Sequence, residues 1–166
     1  MVDTVTVGNE AYNRLYGRMK SVNTLLAWGH ARVIENLMGK RYLMNPAPVR
    51  AISDQFAASK AVIEKALMTG GREIELVQRH RAEEDIAVAA ASIIARDGFV
   101  TGLAKLEHQY QATFPKGAGA GVDAAAKQFV ETRGAGELVK VSKVHFRTAL
   151  RAQGLPEPPR TEWRKK

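Results

Sequence analysis

The sequence predicts an α/β fold with a small, partly parallel sheet flanked by helices, and three features carry that reading. "VRAIS" at 49–53 and "REIELVQR" at 72–79 are short strand-like runs. Between them, "AASKAVIEKALMTGG" places Val62, Ile63, Ala66 and Leu67 on one helical side and stops at a Gly-Gly pair. A strand, a helix and a strand over about 30 residues make a βαβ unit, which requires a parallel pair and a right-handed crossover. The third feature is the uncharged run from Ile86 to Ala95, which reads as a helix packed on several sides.

The remaining elements follow in order. "VDTVTV" alternates polar and apolar residues and is expected as an edge strand. "NEAYNRLYGRM" reads as a short helix. In "SVNTLLAWGHARVIENLMGK", Val22, Leu25, Leu26, Val33, Ile34 and Leu37 form one stripe, Ser21 is placed to cap the start, and Gly39 is placed to end it. "NPAP" turns the chain, because proline and the residue before it resist helix. The long helix is expected from Glu83 to about Tyr110, broken by "FPKGAGAG". A helix over 122–132 and a short helical region in "GAGELVKVSKVHFRTALRA" follow. The expected organisation is one domain over 1–150 and a basic, proline-rich, mobile tail over 151–166.

Composition narrows the classes of function. The 166 residues are 45% hydrophobic and contain no cysteine, which excludes a disulfide scaffold and thiolate metal sites. No basic start leads into an apolar run, and no 18-residue apolar segment is expected anywhere in the chain, so a cytoplasmic, soluble protein without membrane attachment is expected. The net charge of +8 favours a polyanionic partner, nucleic acid first, because neutralised phosphates release counterions.

"AEEDIAVAAASIIARD" at 82–97 sets Glu83, Glu84 and Asp85 at the mouth of the apolar helix. Small residues, Ala87, Ala89, Ala90, Ala91 and Ser92, suit close packing against a sheet. The acids suit the positive end of the helix dipole, and with a second carboxylate nearby they also suit a cation. Asp54 supplies one, directly after a strand, where open α/β sheets place their ligands. Asp54 equally suits capping a helix that begins near Gln55. Asp54 with Glu83 provides oxygen donors of the kind a hard divalent cation takes.

"AVAAASIIAR" resembles the signature helix of the type 2 ribonucleases H. "YNRLYGRMKSVNTLLAWGHARVIENL", "SDQFA", "IELVQRHRAEEDIAVAAASIIAR", "PKGAGAGV" and "KVHFRTA", in that order, resemble ribonuclease HIII from about Tyr12 to Ala149. The resemblance implies a ribonuclease H-like fold, cleavage of the RNA strand of RNA–DNA hybrids, and two divalent ions, Mg²⁺ or Mn²⁺, held by four carboxylates. By that resemblance Asp54 is the third catalytic, metal-holding carboxylate and Glu83 the fourth, with Glu84 and Asp85 the neighbours that a shift of one or two residues in the pattern would put in its place. Arg96, Lys116 and Lys143 fall in matching blocks as phosphate contacts, each equally readable as a solvated surface cation. His30 is expected as a packed helix residue rather than a catalyst, and Trp28 as core rather than a stacking platform.

The family's first two carboxylates form an Asp-Glu pair followed by Gly-Arg-Gly, and neither string occurs here. The chain is therefore expected to be an N-terminally truncated catalytic portion with half of the metal site. Two other classes remain open: a non-catalytic nucleic-acid-binding module, and a partial protein completed by another chain.

Overall fold

The computed structural model describes residues 1–159. They fall into two compact units, one of Met1–Val7 with Leu15–Thr101, the other of Gly8–Arg14 with the chain from Gly102 onward. Two helices, α1 (Asn9–Met19) and α4 (Ile86–Tyr110), contribute to both.

The first unit is organised by α2 (Val22–Met38). The Ser21 hydroxyl accepts the Thr24 N–H at 3.2 Å, satisfying a donor that the first helical turn leaves open, and Gly39 follows the last turn, as the sequence indicates. The buried face is narrower than the expected stripe. It consists of Leu25, Ala27, Ala31 and Met38, while Leu26 is exposed. Ala27 and Ala31 are small, so α3 (Ala61–Ala66) approaches closely and inserts Ile63 and, just beyond it, Leu67. Full burial of Ile63 contributes roughly 1.5–3 kcal/mol.

Strands β1 (Arg50–Asp54) and β2 (Glu75–Arg79) pair in parallel, from Arg50 opposite Glu75 to Asp54 opposite Arg79, as the βαβ reading requires. Ala51 and Leu76 share a face and join the Ile63 core. The Glu35 carboxylate reaches across from α2 and accepts the Met68 N–H at 2.6 Å and the Gly71 N–H at 2.9 Å. These bonds fix the turn between α3 and β2.

Several expectations are corrected. Residues 2–7 pair with no strand among the described residues. The segment keeps the alternating exposure that its pattern encodes, with Asp3, Val5 and Val7 half-buried, but a strand needs a ladder partner. Asp3 is anchored instead by Asn36 at 2.9 Å and Lys40 at 2.7 Å, and the Lys40 bond holds its carboxyl below the usual range. Helix α3 begins at Ala61 rather than near Ala57, where the Ser59 hydroxyl accepts the Ala61 N–H and competes with an earlier start. The beginning of "REIELVQR" is spent in a 3₁₀ turn, Gly71–Glu73.

The largest correction concerns α4. It begins at Ile86, and Glu83 lies before it in a separate 3₁₀ turn, Ala82–Glu84. The helix is not packed on several sides: none of its residues is buried, and Ala90 is exposed. Apolar composition records a preference for burial, but it cannot supply the surface that does the burying. Nor is the chain free of a membrane-length segment, because α4 is long and apolar enough to span one by length and composition.

In the second unit, α5 (Ala120–Arg133), α6 (Leu138–Val141) and α7 (Arg147–Ala152) surround Phe129, Leu138 and Ala149. Tyr110 meets Phe129 edge-on at 5.5 Å, and Phe114 tilts against it at 5.6 Å. Asn13, at the start of α1, donates to the Val139 and Ser142 carbonyls and accepts the Val144 N–H, closing three backbone groups at the end of α6. Beyond α7, Arg147 and Arg151 both hold Glu157, so the start of the tail expected to be mobile is tied down. The tail from residue 160 lies outside the described residues.

Candidate active site

Asp54 is the last residue of β1 and is exposed at the carboxyl end of the parallel pair. Its backbone is held firmly. The Gln78 side-chain amide donates to the Asp54 carbonyl at 3.3 Å, and the Gln55 N–H donates to the Arg79 carbonyl at 3.1 Å. Ser53, immediately before it, is buried. Because α3 starts only at Ala61, the capping role the sequence allowed for Asp54 is excluded. Its carboxylate has no hydrogen-bond or ion-pair partner among the described residues.

The three acids after β2 separate by role. Asp85 is the helix cap, its carboxylate accepting the Ala87 N–H at 2.9 Å and lying 3.9 Å from Arg79 Nη2. Glu84 sits 3.6 Å from Arg81. Glu83 alone of the three has no partner among the described residues, and it is exposed. Ala82, fully buried, pins the turn that carries Glu83 against β1. Asp54 and Glu83 are thus presented from adjoining elements at one end of the sheet, neither carboxylate with a partner among the described residues. Among the described residues no group of three His, Cys, Asp or Glu side chains is placed to hold a metal ion.

Behind the site, His30 stacks on Phe56 with centroids 5.0 Å apart, and burial pushes its pKa below the ordinary value. A neutral ring packed on the loop after Asp54 fits the structural role expected of it. Trp28 is half-buried, with the Arg32 guanidinium 6.0 Å from its ring centroid. Of the proposed phosphate contacts, Arg96 is exposed on α4 in the first unit, and Lys116 is exposed between α4 and α5 in the second. Lys143, also in the second unit, lies over the Tyr12 ring at 4.5 Å, an engagement the sequence did not suggest. Sequence reasoning also passed over Gln78 and Arg79. The available signal was their place at the end of β2, in register with Ser53 and Asp54.

The Ribonuclease HII family profile matches residues 2–149, and the chain belongs to that family. Within it the similarity is to ribonuclease HIII. The Ribonuclease HIII of Chlamydia pneumoniae is 52% identical over 147 residues, 88% of this chain and 48% of its own length. That of Chlamydia muridarum is 45% identical over 150 residues, 90% and 48% of the two chains. The crystal structure of Bst-RNase HIII in complex with Mn²⁺ superposes with a TM-score of 0.77 at 28% identity, covering 90% of this chain and 49% of that one. The α/β, ribonuclease H-like class expected from the sequence is confirmed. The chain spans about half the length of the curated relatives it matches.

Proposed function

We propose that this chain is the part of a metal-dependent endonuclease that contributes Asp54 and Glu83 to the hydrolysis of the RNA strand in RNA–DNA hybrids. The observation that carries the reading is a pair of carboxylates, unpartnered among the described residues, at the carboxyl end of a parallel strand pair in a chain of the ribonuclease HII family. Hard divalent cations, Mg²⁺ or Mn²⁺, take such oxygen donors, and a relative was crystallised with Mn²⁺. When bound, two such ions activate water and stabilise the leaving oxygen of a phosphodiester. Asp54 and Glu83 would hold part of that centre.

Two carboxylates do not make the whole donor set, because Mg²⁺ sheds water reluctantly and requires near-octahedral ligands. The absence of a third metal-binding side chain beside them among the described residues favours a site completed by a further segment. Arg96, Lys116 and Lys143 serve this reading as phosphate contacts, residues 1–150 as the nuclease portion, and the cytoplasm as its location.

The 166-residue chain alone is expected to show no metal-dependent cleavage of a labelled hybrid. Supplying the segment of ribonuclease HIII that lies outside the match should produce cleavage, and Asp54→Asn should abolish it with the circular dichroism spectrum unchanged. Asparagine keeps the shape of the side chain but loses the charge that attracts a cation. Full activity in the complemented Asp54→Asn protein would remove that residue from the mechanism.

A further inference from the structure

Three side chains from the start of α1 converge on the segment that carries Lys143, all within the second unit. Asn9, Tyr12 and Asn13 stand at i, i+3 and i+4, so one helical face delivers all three. Asn9 donates to the Lys140 carbonyl at 3.1 Å. Asn13 brackets Lys143 itself: its amide group donates to the Ser142 carbonyl at 2.9 Å, and its side-chain oxygen accepts the Val144 N–H at 3.1 Å. The backbone is thus bonded on either side of a lysine that lies between α6 and α7, outside any helix.

Tyr12 acts on the other end of that lysine. Its residue is 5% exposed, and its ring stacks on His145 with centroids 5.6 Å apart and an interplanar angle of 22°. The Lys143 ammonium lies over the same ring, 4.5 Å from its centroid, where the negative face of an aromatic attracts a cation. Lys143 is nonetheless exposed and has no carboxylate partner among the described residues. An ammonium has three donors, and a ring on one side leaves others open. The nearby basic residues in sequence are engaged already, Lys140 with Glu137 at 2.6 Å and Arg147 with Glu157 at 3.3 Å.

A surface lysine moves on a flexible four-carbon stem, and binding a phosphate costs it that freedom. A stem ordered beforehand over a ring loses less on binding, so more of the attraction remains as affinity. We infer that Tyr12 is a positioning residue for nucleic-acid binding, holding the Lys143 ammonium in place for a backbone phosphate of an RNA–DNA hybrid. The inference rests on the hybrid-binding reading above. A ring that served packing alone would have the same burial but no link to affinity through Lys143.

The test is a double-mutant cycle on binding of the 166-residue chain to a labelled hybrid at low salt. Tyr12→Leu should weaken binding about three- to tenfold, whereas Tyr12→Phe, which keeps the ring, should not. In the Lys143→Ala background, Tyr12→Leu should change affinity by less than about twofold, because the group it positions is gone. In the Lys116→Ala background its full effect should persist. The ε-methylene protons of Lys143 should resonate upfield under the ring current in the parent and in Tyr12→Phe, and lose that shift in Tyr12→Leu. If Tyr12→Leu does not fold, pentafluorophenylalanine at position 12 replaces it in the cycle, since it keeps the ring's shape and reverses the charge on its face. A chain that does not bind the hybrid overturns the inference. So does Tyr12→Leu with the parent's affinity, or an equal loss with and without the Lys143 ammonium. Cleavage by the complemented enzyme is read separately. Coupling of Tyr12 to Lys143 without cleavage removes the nuclease reading and leaves the inference, whereas Asp54-dependent cleavage without coupling does the reverse.

Discussion

His30 shows how a single buried ring sets a pH dependence. Burial lowers its pKa from the usual 6.5, so between that value and its folded pKa the unfolded chain binds a proton that the folded chain refuses. The stability it contributes is complete above pH 6.5 and is lost as pH falls through that window. His145, lowered mainly by burial and then by Lys143, acts in the same direction. The melting temperature should therefore fall on mild acidification, and His30→Phe, which keeps the stack on Phe56, should flatten the slope without removing it. An unchanged slope would show that His30 titrates normally in the folded protein. Gly71 is limited by space rather than charge: a Cβ there would stand 2.6 Å from Glu35 Oε1 and 2.7 Å from Leu67 Cδ2. Gly71→Ala should displace the carboxylate that fixes the turn and cost about 1–3 kcal/mol in a denaturant titration.

Among elements, α4 separates the roles of three adjacent acids. Asp85→Ala removes the cap bond to Ala87 and should cost about 1 kcal/mol. Glu83→Ala breaks no bond among the described residues and should leave stability within about 0.5 kcal/mol, while removing activity from the complemented enzyme. Equal destabilisation by the two substitutions would contradict this division. Ala90→Leu should be tolerated, with stability within about 0.5 kcal/mol of the parent in a denaturant titration, because Ala90 is exposed.

For the whole molecule, charge is the property most directly tied to a partner. With a net +8, binding to an RNA–DNA hybrid should weaken steeply with salt. Lys116→Ala and Lys143→Ala should each lower the slope of log affinity against log salt by roughly one unit. Lys143 is the sharper test, because its place over Tyr12 gives it a structural function that a phosphate contact must share. A slope near zero would exclude phosphate binding as the source of affinity.

The sequence by itself determined the elements whose signals are local. Ser21 and Gly39 bound α2 because capping depends on residues within one turn, and the two runs around α3 encode a parallel pair because their connection is a helix. It also singled out Asp54 and Glu83, through block order and resemblance. Only the tertiary structure decided which acid does what: all three after β2 suit a helix start, and the left-handed turn at Arg81 together with buried Ala82 makes Asp85 the cap and leaves Glu83 outside the helix. It likewise decided that, among the described residues, 2–7 form no ladder and α4 has no buried side chain. Pairing and burial each need a second surface, and a sequence pattern states the preference for one without placing it.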